Sequence, residues 1–406
     1  PSKTKDFCDV DFSTGSVGLG GAMTIFSSFT QDFLKENNLL DNEPNKMISI
    51  FGDAELDEGN IYEALLEGAK HNLKNCWWII DYNRQSLDGI VFEKLFEKII
   101  SLFELMDWNV EILKYGSKLQ NLKQSKSGRK ILKWIDDCPN DLFSALTYQG
   151  GKYWRKILLE VFSNDQETVK LIQSFNDQEL NDLMTNLAGH DIESLETGFS
   201  KYINSNKPTC FICYTVKGFG LPLAGHKDNH SGIMNNNQFN EYKKLMKIRE
   251  GEEWSKTEGI ELNINELDLI IKSNPLSKCN REFSEVIPIK PLKEIAFNKF
   301  ISTQEAFGKI MNEIGKVKNS FTNRIITTSP DVTVSTSLGG WVNKKNIFST
   351  HKKIDIFGEK KVFSSQKWKY SPDGQHIELG IAENNLFLLL ASLGISDKLF
   401  GKRILP

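Results

Sequence analysis

The stretch from Met47 to Gly89 constrains the fold more than any other part of the chain. An apolar run ends in Gly52-Asp53, a helix-patterned segment follows, and a second apolar run reaches Asn83-Arg84-Gln85. Strand, helix and strand in that order form a crossover unit, right-handed in nearly all parallel sheets. Both strand ends then lie on one edge of the sheet, where open α/β sheets bind ligands. The spacing predicts that Asp53, Asn83 and the backbone around Gln85 meet there, although they are far apart in sequence. One carboxylate, one amide oxygen and one main-chain carbonyl make a hard-oxygen half-shell, suited to magnesium with phosphate oxygens completing the octahedron. Gly-Asp by itself fits a plainer reading better: Asp53 as a helix cap and Asn83 as a turn residue.

The longer string decides between them. Gly52, Asp53, Glu55, Asp57, Glu58, Asn83, Gln85, Leu87, Asp88 and Gly89 stand in strand-helix-strand context. Together they resemble the thiamine-diphosphate motif of the transketolase superfamily, which begins with Gly-Asp and ends with Asn. The resemblance implies an α/β thiamine-diphosphate-binding fold, with parallel sheets flanked by helices in two successive domains, the second truncated. It implies that Asp53, the Asn83 side chain and the Gln85 carbonyl hold magnesium on the cofactor's diphosphate, with Gly52, Ala54 and Glu55 beside the cofactor.

A chain of 406 residues has room for two or more domains with large cores. Its 25% charged and 39% hydrophobic residues describe a soluble globular protein. The net charge of −3 gives no general attraction to nucleic acid or anionic membrane, and no apolar run is long enough to span a bilayer. With no basic-then-apolar leader, a cytoplasmic location is the expectation. Cys210 and Cys213 form Cys-x-x-Cys, but no second pair stands at zinc spacing and the segment reads as a buried strand. The chain opens at Pro1 on what looks like the middle of a domain and stops soon after a helical pattern, Asn384 to Leu393. It therefore reads as an internal fragment of a longer protein, whose own activity is an open matter.

The organisation follows from pattern. Residues 1–240 read as the diphosphate- and magnesium-binding domain, interrupted at about 120–205 by a helical insert rich in Lys, Asp, Leu and Trp. Residues 241–300 read as a linker, a helix followed by an extended connector containing Pro275, Pro288 and Pro291. Residues 301–406 read as the pyrimidine-binding domain, opening with the helix from Thr303 and the strand Asn323 to Val332.

Other segments extend the resemblance. Ser13 to Gly20 is similar to the transketolase segment Ser-Thr-Gly-Pro-Leu-Gly-Gln-Gly, where glycines let backbone approach a flat ring. By that likeness Gly15 and Val17 touch the aminopyrimidine. Thr215-Val216-Lys217-Gly218-Phe219-Gly220 leads into a glycine-rich loop carrying His226 and His230. By position in the family's loop, His230 faces the reacting carbon, where an imidazole can donate a hydrogen bond or exchange a proton. Gly380-Ile381-Ala382-Glu383 resembles the family's Gly-Ile-x-Glu element. Glu383 is thereby implied as the carboxylate on the pyrimidine that promotes loss of the thiazolium proton, with Glu378 its competitor. Such a carboxylate is expected in apolar surroundings that raise its pKa. The family builds its site between two subunits, so a homodimer is implied, with Glu383 serving the partner chain's cofactor.

The insert points to a branch. Gly151 to Lys156 and Ala188-Gly189-His190-Asp191 resemble segments of the decarboxylating component of bacterial pyruvate dehydrogenase complexes, homodimeric type. That likeness implies thiamine-dependent oxidative decarboxylation of pyruvate or a close 2-oxo acid. The acyl group would pass to a lipoyl-bearing acyltransferase partner. The alternative is a transketolase moving a ketol unit between sugar phosphates. Only Lys217 and Lys227 stand near the His230 loop to bind such a phosphate. His190 reads as a helix-capping neighbour outside the site.

Overall fold

The computed structural model describes residues 11–12, 14–40, 45–86, 89–90, 95–274, 286–289, 294–297 and 300–406. Ser13, Leu87, Asp88, Pro275 and Pro291 lie outside the described residues. Helix α1 (Leu19–Glu36) precedes the crossover formed by β1 (Met47–Gly52), α2 (Gly59–Lys70) and β2 (Cys76–Tyr82). The two strands are parallel, with Met47 opposite Cys76 and Gly52 opposite Asp81. A small antiparallel ladder, β3 (Gln85–Ser86) with β4 (Gly89–Ile90), follows the turn after β2. Helix α3 (Leu95–Leu105) then leads to β5 (Asn109–Leu113).

The insert is helical as its spacing predicts. It holds α4 (Ser117–Asn121), α5 (Lys126–Asp137), α6 (Asn140–Gln149), α7 (Gly151–Val161), α8 (Gln166–Gln173), α9 (Asp177–Met184) and α10 (Ile192–Ser200). Its helix starts are chemically marked: Ser125, Asp165, Asn176 and Asp191 each accept a first-turn backbone N–H. The chain then returns to the sheet as β6 (Thr209–Tyr214), and the order β1-β2-β6-β5 is parallel throughout. Every residue of β6 is buried, as a continuous apolar run in a parallel sheet requires. Cys210 and Cys213 point into separate clusters on opposite sheet faces, so the pair cannot grip one ion.

Beyond the first sheet, α11 (Asn236–Leu245) and α12 (Ile264–Ser273) occupy a region expected to hold one helix and an extended connector. Neither buries a side chain. The remainder runs α13 (Thr303–Ile314), β7 (Thr327–Ser329), α14 (Gly339–Lys345), β8 (Ile347–Phe348), α15 (Ile356–Glu359) and β9 (Tyr370–Ser371). It ends with β10 (His376–Glu378), α16 (Glu383–Gly394) and α17 (Ser396–Phe400). The second sheet, β7-β10-β8-β9, is also parallel. Strand β7 is much shorter than the expected Asn323–Val332: a 3-10 turn, Thr322–Arg324, takes its start, Ile325 bridges to Leu405, and Pro330 brings no N–H to a ladder at its end. Among the described residues, no helix is long and apolar enough to cross a membrane.

The two sheets share a core. Helix α1 lies between the first sheet and α16, and its Phe29 and Phe33 meet Phe348 of β8 edge to face, at 5.2 Å each. Leu388, Leu389 and Leu393 of α16 extend the same cluster. A buried histidine stands in the second sheet: the His376 ring lies between the hydroxyls of Thr327, at 2.9 Å, and Thr333, at 3.3 Å. Burial pushes its pKa down to about 4. The neutral form is therefore favoured by folding, so its contribution is complete above the unfolded value near 6.5 and is lost as pH falls toward 4. Acidification across that window is expected to cost about 3 kcal/mol from this residue. Thermal melts from pH 7 to 4.5 should show a smaller drop for His376→Gln than for the parent chain.

Candidate functional site

The site forms at the carboxyl ends of β1, β2 and β6, where the backbone must leave the sheet. After β1 the chain tightens into a 3-10 turn, Asp53–Asp57. The Glu55 carboxylate accepts from the Gly52 amide at 3.1 Å and from the Gly18 amide at 2.9 Å. One side chain thus ties the glycine turn before α1 to the end of β1. Gly18 has φ +73°, and a Cβ there would stand 2.9 Å from Ile61 and 3.0 Å from Glu58; glycine is required on both counts. The Val17 carbonyl accepts from Asn60 at 3.0 Å, while Gly15 and the Val17 side chain are exposed beside the turn.

Asp53 is only 6% exposed. Its Oδ1 accepts from the Ala54 amide and its Oδ2 from the Arg84 amide, both at 2.9 Å. The second bond joins the end of β1 to the turn after β2, as the crossover spacing predicts. In that turn Asn83 Oδ1 accepts from the Gln85 amide at 3.0 Å, and Gln85 Nε2 donates to the Gly225 carbonyl at 3.1 Å. Burial pushes the Asp53 carboxyl up to about 6; Asp81 adds to the rise, against the Arg84 and Ala54 amides and the Lys217 charge. Among the described residues Asp53 has no ion-pair partner, and no cluster of three or more His, Cys, Asp or Glu side chains forms. The available donors are hard oxygens: one buried carboxylate, one amide oxygen and the nearby main chain. That set fits magnesium better than a softer metal.

The loop after β6 closes the other side. Lys217 Nζ lies 3.0 Å from His230 Nδ1, and Asn229 Nδ2 donates to the Lys217 carbonyl at 2.7 Å. An ammonium group only donates, so Nδ1 accepts and a neutral His230 carries its proton on Nε2. His230 itself is exposed. His226 Nδ1 accepts from the Asp228 amide at 3.1 Å, and its ring meets Tyr148 of α6 edge to face at 4.5 Å. His226 is thus held on the insert. His190 Nε2 accepts from the Val216 amide at 2.8 Å, its ring stacks on Phe219 at 3.9 Å, and burial holds its pKa below the usual imidazole range. It braces the root of the loop, while its neighbour Asp191 caps α10.

Glu383 is the first residue of α16 and is exposed. No hydrogen bond or ion pair joins it to Asp53, Asn83 or His230 within the chain. Asn385, two residues on, fastens α16 to α2 by donating to the Glu63 carbonyl at 3.2 Å. The apolar surroundings expected for Glu383 are not supplied by its own chain, because α16 turns its leucines, not its first residue, toward α1. Glu378 is half-buried and accepts from the Tyr370 hydroxyl at 3.2 Å.

No family model matches the chain. The pyruvate dehydrogenase E1 component of Corynebacterium glutamicum is 22% identical over 437 residues, covering all of this chain and 45% of that protein. Those of Buchnera aphidicola subsp. Baizongia pistaciae and Escherichia coli K12 are 29% and 26% identical, over 52% and 54% of this chain and 23% and 24% of their own lengths. Pyruvate dehydrogenase E1 components are thus what the chain is similar to. The chain spans about half the length or less of the curated relatives it matches. Among solved structures, a transketolase from Campylobacter jejuni superposes with a TM-score of 0.50 at 16% identity, covering 94% of this chain and 46% of that one. The likeness shows a transketolase-like α/β fold.

The fold gives two residues near the site a place that their sequence positions do not show. Lys217 sits inside the Thr-x-Lys-Gly-x-Gly match, but only the fold brings its ammonium to His230. Arg84 stands between Asn83 and Gln85. Here it is 7% exposed with φ +65°, a conformation rare for a long side chain; only that backbone angle, invisible in sequence, marks it.

Proposed function

We propose that the chain carries the cofactor-binding part of a thiamine-diphosphate-dependent dehydrogenase that decarboxylates pyruvate or a close 2-oxo acid and passes the acyl group to a lipoyl domain. The observation that carries this is the junction at the sheet's carboxyl edge. There the Asp53–Arg84 and Gln85–Gly225 bonds bring the oxygen ligands and the histidine loop to one place. Homology to E1 components supports the same reading. Asp53, the Asn83 side chain and the Gln85 carbonyl would hold magnesium, and the diphosphate would complete its coordination. Gly15, Val17, Gly52, Ala54 and Glu55 would line the cofactor. When bound, thiamine diphosphate supplies the electron sink that a 2-oxo acid needs to lose carbon dioxide.

The protein's own groups would do the rest. Lys217 keeps the His230 proton on Nε2, where it can be given to a developing oxyanion. Glu383, exposed at the start of a helix fastened to its own chain, is available to a second copy. A homodimer with shared sites is part of the reading, as are a pyrophosphate-binding unit at 1–240, a linker at 241–300, a pyrimidine-binding unit at 301–406 and a cytoplasmic location. In the purified protein with thiamine diphosphate and magnesium, pyruvate should reduce an artificial electron acceptor and acetylate a lipoyl domain, with no turnover of xylulose 5-phosphate. Turnover of the sugar phosphate without pyruvate oxidation would make the protein a transketolase instead.

A further inference from the structure

The turn that presents Asn83 and Gln85 is held in an unusual way. Arg84 occupies a left-handed conformation, φ +65°, that glycine or asparagine adopts far more readily. Its amide is committed to Asp53, so the backbone there is not free to relax. The side chain runs inward, the opposite way from a solvated arginine. Its guanidinium carbon lies 4.2 Å from the ring centre of Phe143 and 5.8 Å from that of Tyr214. Nε is buried without a hydrogen-bond partner. Among the described residues no carboxylate forms an ion pair with it. A buried cation is costly unless something compensates it, and here the Asp53 charge acts beside two aromatic faces that the guanidinium lies against.

Phe143 belongs to α6 of the helical insert, and α6 has a second task. A Cβ at Gly225 would stand 2.9 Å from the Ser144 carbonyl and 3.0 Å from Thr147, so the loop backbone rests directly on α6. His226 meets Tyr148 of the same helix. Gln85 then closes the triangle by donating to the Gly225 carbonyl. One face of one helix thus touches both the metal-ligand turn and the histidine loop. The sheet by itself demands neither contact.

We infer that Arg84 and Phe143 are positioning residues: their cation–π contact clamps the Asn83–Gln85 turn to α6, and α6 thereby sets the magnesium site and the His230 loop in one geometry. This rests on the reading of Asp53 and Asn83 as magnesium ligands. The clamp gives the insert a part in cofactor binding, not only in bulk. Arg84→Gly would relieve the backbone strain yet remove the clamp, which separates the two effects.

The test is a magnesium titration at saturating thiamine diphosphate, followed by calorimetry, with thermal melts and limited proteolysis of the 218–232 loop in the cofactor-free protein. Arg84→Gly and Phe143→Leu should each weaken apparent magnesium affinity by about tenfold or more, and the double variant by no more than the worse single one. Phe143→Tyr, which keeps the ring, should stay within about threefold of the parent. Both weakened variants should be cut faster in the loop. Parent-like magnesium affinity in folded Arg84→Gly overturns the clamp, and that variant decides alone if Phe143→Leu does not fold. Asp53→Asn separates the two levels: its loss of magnesium binding beside parent-like Arg84→Gly sinks only the clamp, whereas parent-like Asp53→Asn sinks the metal assignment beneath it.

Discussion

Asp53→Asn is expected to weaken magnesium-dependent thiamine diphosphate binding by about a hundredfold or more, since even outer-shell partners are worth about 10–100-fold in metal affinity. The side chain keeps its shape, and one amide oxygen can still accept from Arg84 as Oδ2 now does at 2.9 Å. What disappears is the charge. In the chain without metal that charge is a burden: the carboxyl is buried, Asp81 is nearby, and its pKa stands at about 6. Replacing it with a neutral amide should leave the melting temperature of the metal-free protein unchanged within about 3 °C, or raise it. The pairing of lost binding with retained stability is the signature of a ligand. Lost binding together with a lower melting temperature would mark Asp53 as a structural hinge between β1 and the Asn83 turn. Calorimetry with and without magnesium, alongside the melts, distinguishes the two.

Glu383→Gln is expected to slow exchange of the thiazolium proton by about a hundredfold or more, the scale of a lost general acid–base group, while changing cofactor affinity by only a few-fold. Glu383 touches neither Asp53 nor the Asn83 turn within its chain, so its loss leaves the oxygen ligands in place. The exchange rate, followed by magnetic resonance in deuterated buffer, should also fall on dilution, because the exposed Glu383 would reach a cofactor only through a second copy. Persistent exchange in Glu383→Gln would move the assignment to Glu378, which accepts from Tyr370. Concentration-independent exchange would instead mean that the carboxylate serves its own chain.

Much of the site was legible because the crossover unit makes position in sequence a statement about position in space. Two apolar runs separated by a helical pattern can pair in parallel in few ways, and that pairing delivers Asp53 beside the Asn83 turn. The glycine turn was legible for a similar reason, since Gly18 answers a backbone angle and a lack of room at once. The helical insert is legible from spacing, while caps such as Ser125 and Asn176 emerge only in the structure. The region 240–300 holds two helices, α11 and α12, where pattern suggests one helix and an extended connector, and neither helix buries a side chain. The strand around Thr327 is shorter than its apolar pattern, which registers neither the 3-10 turn at Thr322–Arg324 nor the missing N–H of Pro330.

Local order in the chain thus determined the parallel first sheet, the hard-oxygen side chains at its edge and the resemblance that implies a cofactor. Those properties depend on period, on residue chemistry and on short spans, which sequence carries directly. Tertiary structure alone decided how the pieces meet. It turned Arg84 inward onto Phe143, brought Lys217 to His230, seated Gly225 on α6 and left Glu383 facing away from its own core. Each of these joins residues from separate elements through a backbone angle or a packing distance, and neither quantity is written in the order of the amino acids.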